Sequence, residues 1–196
     1  EILADVLKNG GRAILTSSDH KTGTDRIFEA YRELNIKNVD YIINLQGDEP
    51  DINKDDIIKL NNLMINNESE IGTLAAKIQS VKMLNDKNVV KVIVEKKLKE
   101  NNFSTALNFT RKNLSADNQN IYHHIGIYAY KVNILEKFVS LEQTNNEKKN
   151  KLEQLRALDN KLKINITLAK SSPIGVDTKE DYLAIKKIMK YKISNE

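Results

Sequence analysis

The feature that most limits what this chain can fold into is a short apolar run, Val39-Asp40-Tyr41-Ile42-Ile43, cut off by Asn44-Leu45-Gln46-Gly47-Asp48-Glu49-Pro50. β-Branched and aromatic residues in so short a run, stopped by a glycine and a proline, read as a buried strand. In open α/β sheets ligands collect outside the carboxyl ends of the strands. This end carries a glycine that lets backbone come close, followed by two carboxylates. Asp48 is placed like a metal ligand for a phosphate substrate, because Mg²⁺ binds through one or two carboxylates and takes its other ligands from water and phosphate oxygens. Read alone, the same residues also make an ordinary polar turn.

The chain on either side repeats a strand, polar loop, helix order. Ile2, Leu3, Val6 and Leu7 fall at helix spacing before Gly10-Gly11, and Arg12 to Thr16 reads as a strand. Ser17 to Arg26 is a polar loop whose end caps a helix with Ile27, Ala30, Tyr31 and Leu34 inward. After the strand at 39–46, Asn53 or Asp55 caps a helix carrying Ile57, Leu60 and Leu63, and Ile71 to Ile78 reads as the next strand. This order predicts a mostly parallel sheet with right-handed crossovers.

Further on the character changes. Val89 to Val94 and Thr105 to Thr110 read as a hairpin across the charged segment 96–102, and Tyr122 to Tyr130 is a strongly β-prone run. A helix begins at Ile134, and residues 145–150 form a polar insert. Lys151 to Leu158 is a helix with Leu152, Leu155 and Leu158 inward, Lys163 to Ala169 a strand, and Thr178 the cap of a last helix.

With 196 residues, 40% of them hydrophobic, the chain suffices for one sizeable domain, residues 1–196, and not for two. Its net charge of +4 is spread out, with clusters such as 95–99 and 147–151 that read as solvated faces, which argues against nucleic acid as a partner. The lack of cysteine removes disulfides and thiolate metal sites and is compatible with a cytoplasmic location. No apolar run reaches membrane-spanning length. The chain opens inside a helical pattern without an initiator Met, so the sequence reads as a fragment.

Five stretches, Gly23-Thr24-Asp25-Arg26, Leu45-Gln46-Gly47-Asp48-Glu49-Pro50, His124-Ile125-Gly126-Ile127-Tyr128, Leu152-Glu153-Gln154-Leu155-Arg156 and Gly175-Val176-Asp177-Thr178, in this order, resemble the 3-deoxy-manno-octulosonate cytidylyltransferase (CMP-Kdo synthetase) family. The resemblance covers nearly the whole chain. It implies a Rossmann-like nucleotidyltransferase sheet with an inserted antiparallel hairpin segment, joining Kdo to CTP to give CMP-Kdo and pyrophosphate for lipopolysaccharide assembly. It also implies a homodimer, through the Tyr- and Ile-rich segment 105–140. Family members begin with a strand and a Gly-, Arg- and Lys-containing loop that cradles the CTP phosphates, and this chain starts downstream of it. It is therefore read as N-terminally truncated and is expected to bind CTP poorly and to turn over negligibly by itself.

By the same resemblance Asp48 and Asp177 are the catalytic pair that holds Mg²⁺, although Asp177 also suits a helix cap. Gln46 and Gly47 face the sugar or nucleotide, and Gly23, Thr24 and Arg26 belong to the loop that approaches the cytidine and the sugar carboxylate. Without the family, Gly23-Thr24 is an ordinary helix start with an exposed arginine. His124, one of three histidines, shares a strand face with Gly126 and Tyr128, where the glycine leaves space for a ligand, and contacts a sugar carboxylate or hydroxyl. His123 is read as a bystander. Glu153 and Gln154 lie off the leucine stripe and bind Kdo hydroxyls, or else form a solvated helix face. Two other readings stay open: a noncatalytic remnant or partner subunit, and a cytidylyltransferase for another sugar acid such as sialic acid.

Overall fold

The computed structural model describes residues 1–114, 119–173, 175–176 and 178–193. Its elements are α1 (Ile2–Lys8), α2 (Gly23–Leu34), β1 (Tyr41–Asn44), α3 (Lys54–Asn66), β2 (Ile71–Ala76), α4 (Val81–Asn85) and β3 (Lys91–Val94). They continue with β4 (Ser104–Thr110), β5 (Ile121–Lys131), α5 (Val132–Ser140), α6 (Asn145–Asn150), α7 (Gln154–Asp159), β6 (Ile164–Leu168) and α8 (Lys179–Ile193).

The strands form one six-stranded sheet in the order β1-β5-β2-β6-β4-β3, with β5 also reaching β3. Only the β2–β6 pair is parallel among the described ladders, and every other pair is antiparallel. The expected α/β sheet is therefore mixed rather than mostly parallel. β1, β2, β3 and β6 do run one way, but β5 runs against them and separates β1 from β2, and β4 separates β6 from β3. Local pattern shows that a strand exists and says nothing about which neighbours it enters between.

Period-two alternation splits the core in two. Ile127 and Ala129 of β5 pack with Leu74, Leu60 and Met64 under α3, whereas Tyr128 and Tyr130 pack with Phe138, Leu155 and Ile164 on the other face. α3 comes this close because Gly72 has no side chain: a Cβ there would stand 2.4 Å from Met64 Sδ. The Tyr- and Ile-rich residues expected to face a second subunit are thus buried within the chain, and of their neighbours in β4 Leu107 remains 58% exposed.

Other departures have local causes. Residues 12–16 form no ladder among the described residues, and Leu15 is 77% exposed. A strand without a neighbour has nothing to satisfy its backbone. The polar insert 145–150 is helix α6, started by a capping box between Thr144 and Glu147 and ended by Lys151 in a left-handed conformation. Leu152 and Leu155 are buried as expected, and Leu158 is half-buried.

Candidate functional site

A cleft of 1140 Å³ opens beyond the carboxyl ends of β1 and β2, walled by the turn after β1, residues 123–130 of β5, residues 86–90 and the start of α7. Of the sequence-predicted residues, Thr24, Gln46, Asp48, His124, Glu153 and Gln154 line it, and Gly23, Arg26 and Gly47 do not. Arg26 turns away: its Nη1 donates to Thr16 Oγ1 at 3.0 Å and to the Ser17 carbonyl at 2.8 Å, tying down the preceding loop. Gly23 opens α2, whose start is fixed by a capping box between Thr22 and Asp25.

The turn that carries Asp48 is held from three sides. Glu49 N–H donates to the Gln46 carbonyl at 3.2 Å, and Val176 N–H donates to the Asp48 carbonyl at 2.8 Å. The third hold is on β5, where the register against β2 slips: Thr73 faces Tyr128 but Leu74 faces Ile125, so Gly126 and Ile127 have no partner in β2. The Gly126 amide donates to Glu49 Oε1 at 2.9 Å. A Cβ on Gly126 would lie 3.1 Å from Gln46 Oε1 and 3.2 Å from Glu49 Oε1. The space this glycine leaves is therefore filled by the turn itself.

Further along β5 and at the start of α7, polar groups of the cleft are short of partners. Tyr128 and Tyr130 are buried, and burial pushes both phenols above their ordinary range, which keeps them neutral. Burial also raises the Glu153 carboxyl, opposed by the Thr24 and Thr22 hydroxyls and by Arg156. Glu153 Oε1 and the Tyr128 hydroxyl are enclosed without a hydrogen-bond partner. An orphaned buried polar atom costs about 1–3 kcal/mol, so two of them on one cleft wall suit a ligand rich in hydroxyls.

His124 is fixed as a neutral ring. Its Nε2 lies 3.1 Å from Thr73 Oγ1, and that hydroxyl is within bonding distance of the Ile125 and Ile127 carbonyls. A hydroxyl has one proton, which goes to a carbonyl, so Nε2–H must donate to Thr73 and Nδ1 is left as an acceptor. The ring also packs edge-on against Phe109. Burial, helped by His123 and Arg111, lowers its pKa to about 3. Because the folded value lies below the ordinary 6.5, this histidine's contribution to stability is complete above pH 6.5 and is lost as pH falls toward 3. A proton-detected titration is expected to show His124 neutral at pH 5; a midpoint near 6.5 would contradict this placement.

Two further residues line the cleft. Arg111, the first charged residue after β4, donates through Nη1 to the Asn88 carbonyl at 2.8 Å. Its sequence signal was its position just past an alternating strand. His123, read as a bystander rather than a ligand, has its Nδ1 2.8 Å from Ser172 Oγ, which ties β5 to the loop before α8. Asp177 lies outside the described residues. Thr178 lines the cleft and caps α8 with Asp181. Among the described residues no three His, Cys, Asp or Glu side chains gather as a metal site, and no helix is long and apolar enough to cross a membrane.

The sequence profile of the cytidylyltransferase family matches residues 1–164. The 3-deoxy-manno-octulosonate cytidylyltransferase of Bartonella henselae is 41% identical over 92% of this chain and 74% of its own length. That of Thermodesulfovibrio yellowstonii is 42% identical, over 92% of this chain and 74% of its own length. A solved structure of CMP:2-keto-3-deoxy-manno-octonic acid synthetase complexed with CTP superposes with a TM-score of 0.85 at 30% identity, covering 97% of this chain and 77% of that one. At 14% identity, 4-diphosphocytidyl-2C-methyl-D-erythritol synthase from Anaerococcus prevotii shares the fold, with a TM-score of 0.60 over 96% of this chain and 73% of that one. At 41% identity over 92% of its length to a relative of which it spans 74%, and with the Asp48 turn and the partnerless Tyr128 hydroxyl and Glu153 Oε1 in one cleft, the chain belongs to the 3-deoxy-manno-octulosonate cytidylyltransferase family.

Proposed function

We propose that this chain, acting as one domain in the cytoplasm, transfers the cytidylyl group of CTP to Kdo, giving CMP-Kdo and pyrophosphate. The observation that carries the reading is one cleft lined both by an exposed carboxylate turn suited to a phosphate and by Glu153 and Tyr128, whose buried polar atoms await hydroxyls. In the reaction the anomeric hydroxyl of Kdo attacks the α-phosphorus in line. An O–P bond forms as the bond from the α-phosphorus to the bridging oxygen breaks, pyrophosphate leaves with that oxygen, and the proton of the hydroxyl passes to water.

Each residue has a task that its surroundings suit. Arg111 meets the sugar carboxylate, because a guanidinium is planar and always charged. Glu153, Tyr128 and Gln154 read the hydroxyls, and His124, neutral with a free acceptor nitrogen, takes one more. The donor set fits Mg²⁺, which needs only one or two carboxylates beside phosphate oxygens and water. Asp48 and Asp177 would hold the ion, whose charge offsets that of the triphosphate. The bond from Val176 to Asp48 supports this assignment by fastening the segment next to Asp177 to the Asp48 turn. A homodimer is part of this reading on family likeness alone, and light scattering tests it.

The decisive experiment is CTP turnover with Mg²⁺, offering Kdo and a sialic acid. CMP-Kdo is expected. Product from sialic acid alone, or from neither acid, would reject the reading.

A further inference from the structure

Lys91 opens β3 just behind the cleft, and it is fully buried although lysine is seldom enclosed without a paired carboxylate. Its ammonium donates to two backbone carbonyls, that of Asp86 at 2.7 Å and that of Arg111 at 3.2 Å. Arg111 answers in the same direction, with Nη1 donating to the Asn88 carbonyl at 2.8 Å and, more weakly, to the Lys87 carbonyl at 3.4 Å. Three successive carbonyls, of residues 86, 87 and 88, are thus taken up by two cations. Asp86 Oδ1 completes the turn by accepting from Asn88 N–H at 2.8 Å. Asp86, Lys87, Asn88 and Arg111 all line the cleft, whereas Lys91 stands behind them.

Burying an ammonium costs several kcal/mol unless the fold solvates it, and here two backbone carbonyls do so. Methionine at this position would fill the space but leave both carbonyls without this donor, which destabilises the fold for each that stays enclosed. Lys91 thus supplies geometry as well as stability: without it the Arg111 carbonyl and the Asp86 carbonyl lose their common donor, and the wall and the guanidinium are free to part.

We infer that Lys91 is a positioning residue for the sugar-acid half of the cleft, fixing residues 86–88 and, through the Arg111 backbone, the guanidinium that meets the substrate carboxylate. The inference rests on the reading of the cleft given above and deepens it.

The test is a double-mutant cycle of Lys91→Met and Arg111→Met, measuring KM for Kdo, KM for CTP and the melting midpoint. Lys91→Met is expected to raise the KM for Kdo about tenfold and to change the KM for CTP less than about twofold, in a chain that still melts cooperatively at a lowered midpoint. In the Arg111→Met background the same change is expected to add almost nothing. An unaltered KM for Kdo, an equal rise for both substrates, or full additivity in the double variant would each overturn the inference. If Lys91→Met does not fold, Lys91→Gln, whose amide can still serve one carbonyl, is expected to raise the KM for Kdo about threefold, and no change there overturns it. Failure of the unsubstituted chain to use Kdo would reject the function and this inference together; normal Kdo kinetics in Lys91→Met would reject the inference alone.

Discussion

Asp48→Asn is expected to lower kcat for CMP-Kdo formation about a thousandfold, on the order of 4 kcal/mol of transition-state stabilisation, while leaving the fold and the Kdo subsite intact. The side chain is exposed at the cleft rim and, among the described residues, makes no hydrogen bond or ion pair that an amide of the same shape would disturb. Its backbone carbonyl, which accepts from Val176, is untouched by the change. What is lost is a full negative charge where a divalent cation and a triphosphate must be held together, and an amide oxygen is a poor substitute for a carboxylate toward a hard ion.

The neighbouring carboxylate supplies the contrast. Glu49 accepts the Gly126 amide, so its role is to seat the turn. Glu49→Gln keeps an acceptor oxygen and is expected to retain most of the activity, whereas Glu49→Ala releases the turn from β5 and is expected to lose about a hundredfold in kcat. Steady-state kinetics at saturating Mg²⁺ check the series. Equal losses in Asp48→Asn and Glu49→Gln would mean that the two carboxylates share one task, and the division of labour drawn from the hydrogen bonds would be wrong.

Much of this site was legible from local signals. The turn after β1 announced itself because glycine and proline stop a strand of β-branched residues, and the rule that ligands gather at carboxyl ends located the cleft. Glu153 and Gln154 were set off from Leu152 and Leu155 by periodicity alone. What escaped were features made by contacts distant in sequence. Nothing near Gly126 shows that its missing Cβ makes room for Gln46 and Glu49, eighty and seventy-seven residues earlier. Nothing near Lys91 shows that its ammonium will be buried against the Arg111 carbonyl, and no periodic pattern reveals that β5 enters the sheet between β1 and β2. Arg26 shows a contact of another kind: its sequence context fits a substrate loop, and its guanidinium donates to Thr16 and Ser17 outside the cleft lining.

The largest stability effect is expected from the buried pair that the sequence hid most completely. Arg156 and Glu147 are 2% and 3% exposed, and they meet side-on, Nε to Oε2 at 2.9 Å and Nη2 to Oε1 at 2.7 Å. Glu147 is held in place by the Thr144 box that starts α6, and the guanidinium lies over the Phe138 ring at 4.7 Å, so the pair joins α5, α6 and α7. Breaking a buried pair from one side leaves the other charge stranded, which costs about 3–5 kcal/mol. Glu147→Leu is therefore expected to destabilise the chain by about that amount, because Asp25, 3.9 Å from Arg156 Nη1, is too distant to take over both bonds. Arg156→Met leaves Glu147 enclosed beside Phe138 and is expected to cost nearly as much. The double variant Glu147→Leu/Arg156→Met strands no charge and is expected to recover most of the loss. Urea unfolding of the four proteins measures this directly, with the coupling between the two sites as the quantity of interest. Additive losses in the double variant would show that each side chain acts by packing alone. Recovery would identify the pair as an element whose value lies in fixing how α6 and α7 sit together, and so in holding Glu153, at the N-terminal end of α7, against the cleft.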